Sequence, residues 1–239
     1  MARETLMHMR TATGLILSAA LALGGGARAR TPAIGLGAAE ALPADVYPDS
    51  RNRLPMPKRE DMDAFGKTVL DGGGDKPLPA TVHSTRLYSP VARSLEDADR
   101  YLNFETALSP QIVEIAILVT AREMDCQFEW TQNEPHARDP GNSHHIDPAV
   151  IDTIKYGKPA TGLGEQARVV IAFGREMIGR RKVSSATFAQ AVRLFGRKGT
   201  VDLVELIANY SAAALELGAF DQQLKDGQTP LLPARPRNR

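Results

Sequence analysis

Four polar side chains fall at helical spacing within 122-REMDCQFEWTQNEPHA-137: Cys126, Glu129, Asn133 and His136. Spacings of three, four and three put all four on one face of a helix. A thiol in a first turn is drawn toward its thiolate by the helix end. A carboxyl dried by a neighbouring Trp130 titrates higher and becomes a usable general acid or base. His136 is then an acid or a carboxylate binder. Arg122 is a candidate for neutralising an anionic substrate, with Trp130 and Asn133 as further substrate contacts. Each residue also has a plain structural reading: Cys126 and Trp130 as core, Glu129 paired with Arg122, His136 as a satisfied surface histidine. Asn133 is the unusual choice, because a half-buried amide needs partners.

A second carboxylate belongs to the same chemistry. Glu114 sits among Ile and Val in 109-SPQIVEIAILVTAREM-124. A charge there must be paired or placed at a cavity. If the two segments form a helical hairpin, Glu114 faces Glu129. Two close carboxyls push their pKa values apart, so one holds a proton while the other takes one.

Composition removes several other chemistries. The single Cys in 239 residues excludes an intramolecular disulfide, a CxxC redox pair and a four-Cys zinc site supplied by this chain alone. A formal net charge of +1 gives no strong field for nucleic acid, and no nucleic-acid partner is expected. Glu129 and His136 are too few ligands to argue a metal site. His144 and His145 lie in a loop rich in Gly, Ser and Pro, where solvation is expected. No metal or organic cofactor is expected.

These residues need helices to position them, and the chain reads as all-helical. At 43% apolar content with only 5% aromatic residues, one core of Ala, Leu, Ile and Val is expected. The start has the pattern of an export signal: Arg3 and Arg10, then the uncharged run 13-TGLILSAALALGGG-26, then small residues at Ala27 and Ala29. Cleavage after Ala29 leaves a near-neutral chain that is periplasmic or secreted, with no membrane contact after the signal is removed. Residues 30–90 read as an extended lead-in with one short helix over 59–71, stopped by 72-GGG-74. A helical domain spans 91–222. Its helices are expected over 92–107, 109–124, 126–138, 148–155, 164–180, 184–195 and 200–217, with Ser109 and Pro110 opening the second. That second helix is apolar almost all round and therefore central. Residues 223–239 read as a flexible tail.

The segment 104-FETALSPQIVEIAILVTAREMDCQFEWTQNEPHARDPG-141, followed by 148-PAVIDTIKYGKP-159, resembles the carboxymuconolactone decarboxylase family, which includes the alkylhydroperoxidase D-like proteins. The resemblance runs roughly from Leu54 to Phe220. It implies a compact all-helical domain that assembles into trimers or hexamers. The decarboxylases act without metal or organic cofactor on a carboxylated muconolactone. The hydroperoxidases use a Glu, two Cys and a His in the pattern E-x11-C-x2-C-x3-H. Here Glu114 matches the Glu and Cys126 the first Cys; Glu129 stands at the second Cys and Asn133 at the His. The E-W-x-x-H-x-P pattern of the decarboxylase-like branch becomes 129-EWTQNEP-135, again with Asn133 at the His.

Three functions stay open. The first is a cofactor-free lyase or isomerase for a small carboxylated lactone or oxygenated acid, with Glu129 as acid/base, Glu114 its partner and His136 assisting. The second is a thiol-dependent peroxidase using Cys126. The third is a non-catalytic periplasmic oligomer that binds a small molecule.

Overall fold

The computed structural model describes residues 42–235 apart from Asp75 and Pro77. The expected export segment lies outside the described residues. Among them are eight α-helices: α1 (Ala64–Gly72), α2 (Val82–Arg86), α3 (Ala92–Phe104), α4 (Pro110–Glu123), α5 (Gln127–Arg138), α6 (Pro148–Lys155), α7 (Glu165–Gly174) and α8 (Ser185–Ala219). The one β-bridge there, Tyr47 with Asn52, closes a turn in the lead-in.

Helix α4 is the centre. Ser109 caps it by accepting the Ile112 N–H at 3.3 Å, and Pro110 fits the first turn, where its missing N–H costs nothing. Every residue from Ile112 to Arg122 is buried. Helices α3, α5, α6, α7 and α8 pack around it. Helices α4 and α7 come close at Gly174 on α7, where an added Cβ would lie 2.6 Å from Val119 Cγ1. Glycine is required there for the two helices to touch. A smaller cluster of Met62, Leu87 and Ala92 sits under α1 and α3.

Three boundaries differ from the sequence reading. The helix expected over 164–180 ends at Gly174 and opens into a π-turn over Arg175–Gly179. There Arg175 donates to the carbonyls of Lys158 and Thr153 at 2.9 and 3.1 Å, tying the turn to the end of α6. Helices expected over 184–195 and 200–217 form one long element broken at Gly196, whose φ of 68° and ψ of 179° only glycine adopts without strain. Residues 82–86, expected in a loop, form the single-turn helix α2.

The two ends of the domain are tied down rather than loose. In the lead-in, Asn52 is fully buried and donates to Thr85 Oγ1 at 2.8 Å and Gln222 Oε1 at 3.0 Å. The flexible tail expected from 223 is also corrected for the described part. Leu232 is buried against the core, and the Pro233 carbonyl accepts from Arg122 Nη1 at 2.7 Å. Buried hydrogen-bond groups on α4 and α5 need partners, and this segment supplies them.

Candidate active site

A cavity of about 630 Å³ opens between α3, α4, α5, α8 and the loop before α6. Its wall holds Glu114 from α4 and Glu129, Asn133 and His136 from α5. The hairpin of α4 and α5 thus brings both carboxyls to one space. The hairpin closes at Asp125, whose φ of 54° is left-handed, a conformation Asp tolerates better than most residues. Cys126 is the N-cap of α5, and Glu129 stands in its first turn.

Both carboxyls are buried with an oxygen left over. Glu114 is 3% exposed and Glu129 8%, and neither Glu114 Oε1 nor Glu129 Oε2 has a hydrogen-bond partner. Burial pushes each from 4.5 to about 8. At Glu129, the negative charge of Asp99 adds to the rise and Arg86 opposes it. A helix N-terminus favours a carboxylate; the loss of water outweighs it here. Both groups therefore carry protons at neutral pH, which corrects the expected division of the pair into one acid and one base: burial, not mutual repulsion, sets both.

His144 and the first helices complete the wall. His144 Nδ1 lies 3.3 Å from Glu114 Oε2. Burial, then the charge of His136, pushes His144 below its usual value. The contact is thus between a protonated acid and a neutral imidazole. The buried Arg86 bonds Asp99 at 3.0 Å and Glu216 at 2.8 Å. Tyr210 donates to Asn103 Oδ1 at 2.8 Å, and burial raises its phenol. The exposed Phe104 stands at the mouth.

The remaining sequence candidates are placed elsewhere or differently. Cys126 is half-buried and does not line this cavity. Burial drives its thiol up to about 11, against the small pull of the Glu129 and Phe128 N–H groups. The thiolate expected from its position is therefore corrected: desolvation beats the helix end. Trp130 is fully buried and donates to Glu134 Oε2 at 2.6 Å, inside a knot that Lys155 and Arg138 complete. It is a core residue away from the cavity. Arg122 lies eight residues past Glu114, about 12 Å further along α4, and lines a different cavity. Asn133 spends its amide nitrogen on the Glu129 carbonyl at 2.8 Å. His136 is exposed at the rim, with Nδ1 3.4 Å from Asn142 Nδ2.

Several wall residues escaped the sequence reading. His83 and Arg86 sit on α2, which is too short to show periodicity. Asp99, Asn103, Asn209 and Tyr210 are polar groups at half-buried positions of α3 and α8, and polar residues among the apolar ones of a helix were the available signal. His144 was expected in solvent; its N–H donates to Asn142 Oδ1 at 2.9 Å, a turn that folds the loop over Glu114.

A cation has one candidate seat among the described residues. His83, Glu96 and Asp99 offer ligand atoms within 4.8 Å of one another. The fit is poor, because both Asp99 oxygens are already taken by Arg86 and Asn209.

No protein-family model and no curated protein sequence matches the chain. Solved structures do. An uncharacterized peroxidase-related protein from Silicibacter sp. superposes with a TM-score of 0.59 at 14% identity, over 77% of this chain and 95% of that one. The alkylhydroperoxidase AhpD core of an uncharacterized peroxidase-related protein from Ralstonia eutropha gives 0.52 at 16% identity, over 76% and 98%. A protein of unknown function from Agrobacterium tumefaciens, described as a putative antioxidant defence protein AhpD, gives 0.51 at 14% identity, over 58% and 94%. At these identities the likeness is one of architecture. The chain has the all-helical fold of the alkylhydroperoxidase D-like proteins.

Proposed function

We propose that the chain is a cofactor-free lyase of the carboxymuconolactone decarboxylase kind, acting on a small carboxylated lactone or oxygenated acid. The observation that carries this reading is the pair of protonated carboxyls, Glu114 and Glu129, each with an oxygen left unpartnered beside one cavity. Groups held near pH 8 are poised for acid–base work at neutral pH.

The bond between the substrate carboxylate and its neighbouring carbon breaks, and carbon dioxide leaves. The electron pair passes into the lactone or keto carbonyl, giving an enolate. Glu129 delivers its proton to the carbon that lost the carboxylate. Solvent restores the proton, with Glu114 and His144 as the adjoining proton-holding pair.

The thiol reading draws less support, because Cys126 stands outside the cavity with its pKa raised to about 11. A binding role without turnover draws on Asn133, whose amide nitrogen is engaged within its own helix. The test is a panel of small carboxylated lactones and keto acids incubated with the protein in heavy water. The lyase reading expects carbon dioxide release, insensitive to a chelator, with one deuteron on the carbon that lost it. Saturable binding with no turnover on any member would favour the binder instead.

A further inference from the structure

Among the described residues there is a second cavity, of about 670 Å³, lined by Arg122, Glu123, Lys155, Tyr156, Arg175 and the segment Pro233–Arg235. It shares no residue with the cavity of Glu114 and Glu129. Helices α4 and α6, the π-turn and the final segment build it, so it is a product of the tertiary fold rather than of one charged stretch.

Its electrostatics are unbalanced. Four cations line it against one carboxylate, Glu123. Arg235 Nη2 lies 3.2 Å and Arg175 Nε 3.9 Å from that single acid. Arg122 reaches Asp125 at 3.2 Å, and Lys155 reaches Glu134 at 2.8 Å. With those two acids counted, one guanidinium charge has no acid of its own among the described residues. Burial, and then the charge of Arg235, depresses Arg122. Burial likewise depresses Arg175, with Glu123 opposing and Arg235 adding to the fall. Such crowding is relieved by an anion, and guanidinium forks match oxyanions in shape.

We propose that this cavity is a binding site for a small multivalent oxyanion, a phosphate or a di- or tricarboxylate, separate from the acid/base cavity. The bound anion bridges Arg175 on the π-turn and Arg235 in the segment after α8. It thereby fastens the final segment over α4 and α6. Arg122 is already engaged with the Pro233 carbonyl at 2.7 Å and acts as the floor.

The test is calorimetric titration of the full chain with inorganic phosphate and, separately, with citrate, in a low-salt buffer lacking both. The expected result is saturable binding of one anion per chain. Tighter phosphate assigns the site to phosphate compounds, and tighter citrate assigns it to polycarboxylates. Arg235→Gln, at a side chain 43% exposed, preserves the fold and weakens binding about tenfold, the loss of one charge-assisted contact. Arg193→Gln removes the same charge from an exposed pair with Glu165 outside the cavity and leaves affinity unchanged. Absence of saturable heat with both anions overturns the proposal. So does equal weakening by the two substitutions, or binding indifferent to Arg235→Gln.

Discussion

At the scale of the residue, two buried carboxyls keep their protons. Glu114 and Glu129 were legible in the sequence because a charge beside a long apolar run must be paired or placed at a cavity. Trp130 and Arg122 were not placed correctly, because one helical step turns a side chain about 100° and eight steps carry it about 12 Å. The partner helices, unseen in a sequence, decide which side is the core. Stability should report the two protons. In the folded chain both groups titrate at about 8, against 4.5 in the ordinary state. Below 4.5 both states are protonated and the groups contribute no pH dependence. Between those values the folded chain holds protons that the unfolded chain releases. Stability therefore falls as pH rises, by up to about 1.4 kcal/mol per pH unit for each group, and levels off above 8. Thermal melts from about pH 5 to about pH 8 should show the fall, and Glu114→Gln with Glu129→Gln should flatten it. A wild-type profile no steeper than that of the double variant would mean that the buried carboxyls are ionised.

At the scale of the element, capping and periodicity located α3, α4, α5 and α6 to within a few residues. Ser109 is seen accepting the N–H bond that its type suggested, and Asp147 accepts the Ala149 N–H at the start of α6. What periodicity could not supply was the five-residue α2, or the π-turn after Gly174, where local pattern and tertiary contact disagree. The meeting of α4 and α7 gives a sharp test. A methyl group at Gly174 would stand 2.6 Å from Val119 Cγ1, and both backbones are held in helices. Gly174→Ala should cost about 1–3 kcal/mol by overpacking, despite the better helix propensity of Ala. Val119→Ala should recover much of that loss when combined with it, giving a coupling that urea denaturation can read. Additive losses would mean that the helices sit further apart than described.

At the scale of the whole molecule, the all-helical architecture was readable, while the closing of its ends was not. A Pro-rich segment such as 229-TPLLPAR-235 has no period, so its docking through Leu232 and Pro233 depends on unpaired groups on α4 and α5. Assembly is a proposal at this scale. Val201, Ala208, Ala212 and Leu215 share an exposed face of α8, and Phe104 is 77% exposed at the cavity mouth. Covering such apolar area gains about 25 cal/mol per Å², and a trimer or its double is expected. Light scattering at micromolar concentration should give a multiple of the chain mass, whereas a monomer would leave those faces to another partner. Export is the second proposal here: N-terminal analysis of protein from its native cell should find Arg30 first, and a chain retaining Met1 would refute it.

On the proposed function the buried carboxyls, and not the thiol, carry the chemistry. Its most direct test is a paired rate measurement on Glu129→Gln and Cys126→Ser with one substrate the wild type turns over. Circular dichroism of both variants establishes that they remain helical. Glu129→Gln should lower the rate by about 10²–10⁴-fold, because it keeps shape and hydrogen bonding but removes the proton. Cys126→Ser should change it by far less. The reverse order, with Cys126→Ser abolishing turnover and Glu129→Gln sparing it, would contradict the account.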